Sequence, residues 1–275
     1  MYTAYFGLSE APFSITPDPR YLYMSERHRE AMAHLFYGLS EGGGFVQLTG
    51  EVGTGKTTLC RCMMLGRADN IDLALILNPR ISELELLASI CDELKIKYPK
   101  AFTAKHLLDR LNTYLLKSHA DGRHAVVVID EAQNLSREVL EQVRLLTNLE
   151  TSKHKLLQII LIGQPELVTL LNREDLRQLA QRITARYHLL PLSLDDAKEY
   201  IKYRLKVAGC DRPLFTRAAL RRVFRMSGGI PRLINIICDR ALLGAYAKER
   251  HIVDSRIVSS AGKEVFGSQP RRWKF

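Results

Sequence analysis

The sequence predicts an α/β fold, a parallel five-stranded sheet flanked by helices and followed by a small all-helical subdomain. Three observations carry this expectation. Five short apolar runs recur at residues 45–49, 72–77, 125–129, 157–162 and 187–192, and most are continuous rather than alternating. Strands buried on both faces of a parallel sheet have that pattern. Stretches with helical spacing separate the runs, which implies right-handed strand–helix–strand crossovers. After Leu192 the strand signal stops and helical spacing alone continues.

Each element has a local reason. The first twenty residues mix Pro12, Pro17 and Pro19 with Tyr5, Phe6 and Phe13, and prolines so closely spaced exclude a helix across them. Helical spacing begins near Ser25, runs to about Leu39, and is ended by Glu41-Gly42-Gly43-Gly44. A helix over 56–65 follows the first run, and helices over 81–97 and 104–118 follow the second. A helix over 136–150 follows the third, and one over 165–185, broken near Asn172, follows the fourth. Ser193 with Asp196 three residues later reads as a capping box opening a helix that Gly209 ends. Helices over 216–226, 231–248 and 254–265 complete the chain. The expected division is an N-terminal aromatic/proline segment and helix (1–44), an α/β core (45–192), a helical subdomain (193–265) and a basic tail (266–275).

Composition narrows the class. With 275 residues, 46% hydrophobic and 25% charged, the chain has the makeup of a soluble globular protein with a sizeable core. No window approaches the roughly 18 apolar residues of a membrane helix, and the first residues lack the form of a secretory signal. Five cysteines, an odd number without zinc-like pairing, argue against a secreted disulfide framework and make a cytosolic setting the default. Cys60 and Cys62 lie two apart on one helix, point to different faces and read as packing positions. The eight histidines show no metal-ligand spacing. The net charge of +10 is uneven: residues 171–275 carry 22 Lys/Arg against 10 Asp/Glu, whereas residues 1–170 are slightly acidic. A basic part of this kind suits nucleic acid, anionic lipid or an acidic protein, or is simply a solvated face.

The chemistry concentrates in two motifs. Gly50-Glu51-Val52-Gly53-Thr54-Gly55-Lys56-Thr57 matches G-x-x-x-x-G-K-[ST] and sits between an apolar run and a helical pattern, with Thr58 next in line. Its glycines let the backbone wrap anionic oxygens, and the following helix presents its positive end. In such a loop Lys56 contacts the β- and γ-phosphates of ATP and Thr57 ligates Mg²⁺. The second motif, Ala125-Val126-Val127-Val128-Ile129-Asp130-Glu131, ends a buried run in two acids. Asp130 would hold Mg²⁺ through its water shell, and Glu131 would polarise the attacking water as general base.

Longer stretches carry a resemblance. They are residues 5–61, from YFGLSEAPF to TTLCR, then LILNPRIS at 75–82, VVVIDEAQNLS at 126–136 and IILIGQPEL at 159–167. QRITARYHLLPLS at 181–193 and GGIPRLINIICDRAL at 228–242 complete them. In these the chain resembles AAA+ ATPases of the additional-strand class, and within them the cytoplasmic ATPase part of the general secretion pathway protein A (ExeA/GspA) family, to which the pilus biogenesis ATPase MshM is related. The resemblance implies a P-loop AAA+ fold whose helical subdomain is a lid. It further implies Gln164 as a polar sensor, Arg186 or its rival Arg182 as an arginine finger acting on a neighbouring subunit's ATP, and Arg232 as a lid arginine contacting ATP. Phe13 and Ile15 would line the adenine pocket. A finger acting in trans makes the active species a homo-oligomer.

For the biological role the resemblance implies an inner-membrane protein with this ATPase on the cytoplasmic face. A partner membrane protein would act with it to localise the secretin of a type II secretion system, and peptidoglycan would be touched through a region this chain lacks. Pro270-Arg271-Arg272-Trp273-Lys274-Phe275 suits the cytoplasmic flank of a membrane span. The alternatives are a DNA-binding, transposition-type AAA+ regulator, which shares a DEAQ-like motif, and a nucleotide-binding scaffold that hydrolyses little.

Overall fold

The structure, a computed structural model, describes the chain except residues 17, 41–43, 66–69, 78, 152–153 and 268–275. Of residues 39–40 and 63–65 it describes the backbone alone. The Gly42-Gly43 helix end and the basic cluster at 270–275 lie outside the described residues. The chain runs α1 (Tyr2–Phe6), α2 (Glu26–Ser40), β1 (Gly44–Gly50), α3 (Lys56–Leu65), β2 (Ile71–Ile76), α4 (Glu83–Glu93) and α5 (Ala104–Ala120). There follow β3 (His124–Ile129), α6 (Arg137–Leu146), β4 (Leu157–Gly163), α7 (Glu166–Leu171), α8 (Arg177–Ala180) and β5 (Ile183–Leu189). The last elements are α9 (Leu194–Val207), α10 (Arg217–Ser227), α11 (Pro231–Ala247) and α12 (Ser255–Phe266). Among the described residues no helix is long and apolar enough to cross a membrane.

The strands form one parallel sheet in the order β2-β3-β4-β1-β5. The three inner strands are buried almost throughout, which is why their sequences read as continuous apolar runs. The edge strand β5 alternates instead, and there the sequence expectation is corrected. It spans Ile183–Leu189 rather than 187–192, because register with β1 pairs Phe45 with Ile183 and Gly50 with Leu189. The apolar run that suggested the later position includes Pro191, and the helical stretch expected to reach 185 stops at Ala180. Arg186 therefore lies inside a strand rather than before it.

Two compact units divide the chain. One holds the sheet, His28–Gly50 with Leu59–Leu189. Leu86, Leu87 and Ile90 of α4 and Leu107, Leu111 and Leu115 of α5 are fully buried in its core, together with Val127 and Ile159 of the sheet. Local chemistry fixes these helices: Ser82 with Glu85 and Thr103 with His106 form capping boxes. Asn172 caps the end of α7, where the sequence suggested a break.

The other unit joins Met1–Arg27, Glu51–Thr58 and the chain from Leu190 onward. Its core packs Phe6 and Phe13 with Ile201, Leu205, Val223, Ile234, Ile237 and Val258. The short helix α1, unannounced by periodicity at five residues, is tied down where the Tyr2 hydroxyl donates to Asp239 (2.5 Å). The expected Ser193–Asp196 capping box opens α9. Arg204 of α9 is buried, and its guanidinium donates to the Pro12 carbonyl (2.5 Å), the Ser14 carbonyl (3.0 Å) and the Tyr200 hydroxyl (2.9 Å). It also lies 4.5 Å from the Tyr21 ring, so this cation helps tie down a proline-rich segment that cannot hold itself as a helix.

Candidate functional site

Hydrogen bonds within the chain shape the phosphate loop. The Glu51 carbonyl accepts from the Thr54 amide (3.3 Å), the Thr54 hydroxyl (2.9 Å) and the Lys56 ammonium (3.0 Å). Lys56 is 7% exposed and Thr54 1%, so the lysine is held against the loop instead of ranging through solvent. Lys56 and Thr57 open α3, whose first amides lack intrahelical partners and favour an anion there.

Arg232 meets this loop. Its backbone amide donates to the Gly53 carbonyl (3.2 Å). A Cβ at Gly53 would lie 2.6 Å from Arg232 Cβ and 3.3 Å from its Cδ, and Gly53 has φ +83. The start of α11 is placed by Gly229, whose carbonyl accepts from the Leu192 amide (2.9 Å). A Cβ there would come within 2.2 Å of the Leu192 carbonyl oxygen, at φ +76. Pro231 then opens α11, its fixed φ suited to a first helical turn. The Gly-Gly-Ile-Pro-Arg sequence thus sets an exposed arginine directly on the phosphate loop.

The acids belong to the sheet unit. Gly50 ends β1, Asp130 follows β3 and Gln164 follows β4, so all three stand at the carboxyl edge of one parallel sheet. The Asp130 amide continues the ladder to the Ile76 carbonyl (2.9 Å), and its carboxylate accepts from the Glu131 amide (2.9 Å). Glu131 takes a left-handed conformation, φ 52 and ψ 36, which costs a non-glycine residue about 1–2 kcal/mol. Surrounding contacts hold it there, as at many functional sites. Its Oε2 accepts from Gln164 Nε2 (2.9 Å) and Gln133 Nε2 (2.5 Å), and Gln133 Oε1 accepts from the Gln164 amide (3.1 Å). The fold brings Glu131 and Gln164 together. Gln133 had no assigned role; its only signal was its place in the DEAQ stretch.

The two finger candidates differ in environment. Arg182 Nη1 is engaged by the Arg144 carbonyl (3.2 Å), Thr147 Oγ1 (2.7 Å) and Asn148 Oδ1 (2.7 Å) at the end of α6. Arg186 is exposed on β5 and donates to the Ala180 carbonyl (2.9 Å). The two residues expected near adenine also part company. Phe13 is 2% exposed, with its ring edge-on to Phe215 at 6.1 Å, while Ile15 is 58% exposed.

Mg²⁺ that accompanies a nucleotide keeps several waters and takes one or two protein oxygens beside phosphate; the Thr57 hydroxyl and the Asp130 carboxylate are each oxygen donors of that kind. Among the described residues there is no cluster of three or more His, Cys, Asp or Glu able to hold a metal without phosphate.

A glycine-rich loop opening a helix, paired acids ending a buried strand and the order β2-β3-β4-β1-β5 with a helical unit define the P-loop fold of the AAA+ class. Residues 39–171 match the family model described as an AAA domain. General secretion pathway protein A of Aeromonas hydrophila is 58% identical over 267 residues, 97% of this chain and 49% of that protein. The chain belongs to the AAA+ family of general secretion pathway protein A, and it spans about half the length of that relative. Among solved structures, Cdc6p from Pyrobaculum aerophilum aligns over 94% of this chain and 72% of its own, with a TM-score of 0.75 at 20% identity. Drosophila ORC bound to DNA covers 94% and 65% (TM-score 0.71, 20% identity). The Thermotoga maritima RuvB branch migration motor covers 91% and 72% (TM-score 0.60, 19% identity). At these identities the likeness is one of fold.

Proposed function

We propose that this chain binds ATP with Mg²⁺ at residues 50–58 and hydrolyses it, as a homo-oligomer at the cytoplasmic face of the inner membrane. The single observation that carries hydrolysis is the Glu131 carboxylate, held by Gln164 at the carboxyl edge of the sheet from which the phosphate loop springs. A protein that only bound nucleotide would have no use for a fixed carboxylate at that edge. Backbone amides of the loop and Lys56 bind the phosphates, and Thr57 with Asp130 would hold Mg²⁺. The ion supplies charge neutralisation for the phosphate oxygens. Glu131 orients water and takes its proton; Gln164 fixes the carboxylate, Arg232 contacts ATP from the helical unit, and Ile15, exposed where Phe13 is buried, flanks the base. Arg186, more accessible than Arg182, is the finger offered to a neighbouring subunit.

The 58% identity to general secretion pathway protein A supports energising secretin assembly or localisation in type II secretion together with a partner inner-membrane protein. It favours that role over DNA-binding regulation, for which the basic C-terminal part is the remaining argument. ATP turnover with Glu131→Gln tests the enzymatic reading: a loss of about 10²–10⁴-fold is expected of a general base, with ATP binding retained. Turnover at the wild-type rate would refute it. Arg186→Ala should likewise abolish turnover while sparing binding. ATP-dependent DNA binding that persists at moderate salt would favour the DNA-binding alternative.

A further inference from the structure

We propose that Gln133 is a positioning residue that orients Glu131 by saturating one of its carboxylate oxygens. This rests on the reading of Glu131 as the base. Two observations carry it. The first is the bonding of the amide. The Gln164 backbone N–H, a donor only, faces Gln133 Oε1 at 3.1 Å, and this fixes which end of the Gln133 amide is oxygen. The nitrogen end must then face Glu131, and Nε2 lies 2.5 Å from Oε2. Gln164 Nε2 donates to the same oxygen at 2.9 Å. With two donors on Oε2, the lone pairs of Oε1 are the ones left to take a proton from water.

The second observation is steric. A Cβ at Gly163, the last residue of β4, would lie 2.7 Å from Gln133 Oε1 and 2.8 Å from Leu167 Cδ2. The amide occupies the place of a side chain at the strand end, and glycine there makes room for it. Gln133 thus bridges the end of β4 and the acid that follows β3, which fixes the carboxylate relative to the sheet.

Three variants test this: Gln133→Leu, Gln133→Glu and Gly163→Ala, each checked for folding by circular dichroism and for affinity towards a fluorescent ATP analogue. Loss of a hydrogen bond to a charged group should lower kcat about 10- to 100-fold with nucleotide affinity within about twofold. Gln133→Glu keeps the shape and the Oε1 acceptor but replaces the donor to Glu131 by a like charge, so kcat should fall at least as far as in Gln133→Leu. Unchanged or faster turnover in Gln133→Leu, or wild-type turnover in the isosteric Gln133→Glu, would overturn the inference. Glu131→Gln in parallel separates the failures. If it turns over normally, the hydrolytic reading falls; if it is inactive while the other variants behave as wild type, only the role of Gln133 falls.

Discussion

Gly53→Ala tests the join between the phosphate loop and α11. The G-x-x-x-x-G-K-[ST] motif leaves this position open, since Gly53 is one of its four unspecified residues. The tertiary structure does not leave it open. At φ +83 an alanine bears a left-handed penalty of about 1–2 kcal/mol. Its methyl would also lie 2.6 Å from Arg232 Cβ, an atom next to the helix backbone that no rotamer change can move aside. Relief requires the loop and α11 to separate, which breaks the 3.2 Å bond from the Arg232 amide to the Gly53 carbonyl and adds about 1–2 kcal/mol. The total, about 3 kcal/mol, corresponds to roughly a hundredfold weaker ATP binding if the shifted loop cannot hold phosphate. Titration with a fluorescent ATP analogue reads this directly, with Val52→Ala, at a half-exposed neighbouring position, as the control. An affinity for Gly53→Ala within twofold of wild type would refute the reasoning.

Tyr200→Phe removes a buried hydroxyl that donates to Asn235 Oδ1 (2.8 Å) and accepts from Arg204 (2.9 Å). It should destabilise the protein by about 2 kcal/mol and lower Tm by roughly 4–8 °C, and a melt within 1 °C of wild type would contradict it. Cysteine reactivity should follow burial. Burial pushes the Cys91 thiol up to about 11 and raises those of Cys60 and Cys238 as well, so the native protein holds almost no thiolate at these positions at pH 8. Cys62, the half-buried one, should react first with a disulfide reagent at that pH, and mass mapping that finds Cys60 or Cys238 modified earlier would count against the packing of their helices.

The fold was legible where the determinants are local. Apolar runs gave the inner strands because those strands are buried on both faces, and Ser193 with Asp196 gave the start of α9 because a capping box is made within four residues. The position of β5 was not legible. As an edge strand it alternates, and its register depends on β1, more than a hundred residues away. Gln164 and Glu131 could be named from motifs, yet their bond spans 33 positions, and no local pattern reports it.

What the sequence by itself determined is the chemistry available: a loop able to wrap phosphate, a lysine and a threonine behind it, two acids ending a buried strand and an excess of basic charge late in the chain. Each is read from neighbours along the chain, where spacing and residue type suffice. Only the tertiary structure decided which of these groups are held and how. It alone buries Arg204 under the proline segment, seats Arg232 on Gly53, and fills one oxygen of Glu131 with two glutamine amides. These arrangements depend on groups tens to hundreds of residues apart. Hydrogen-bond direction and steric clearance act over a few ångströms, and only the completed fold brings such groups within that distance.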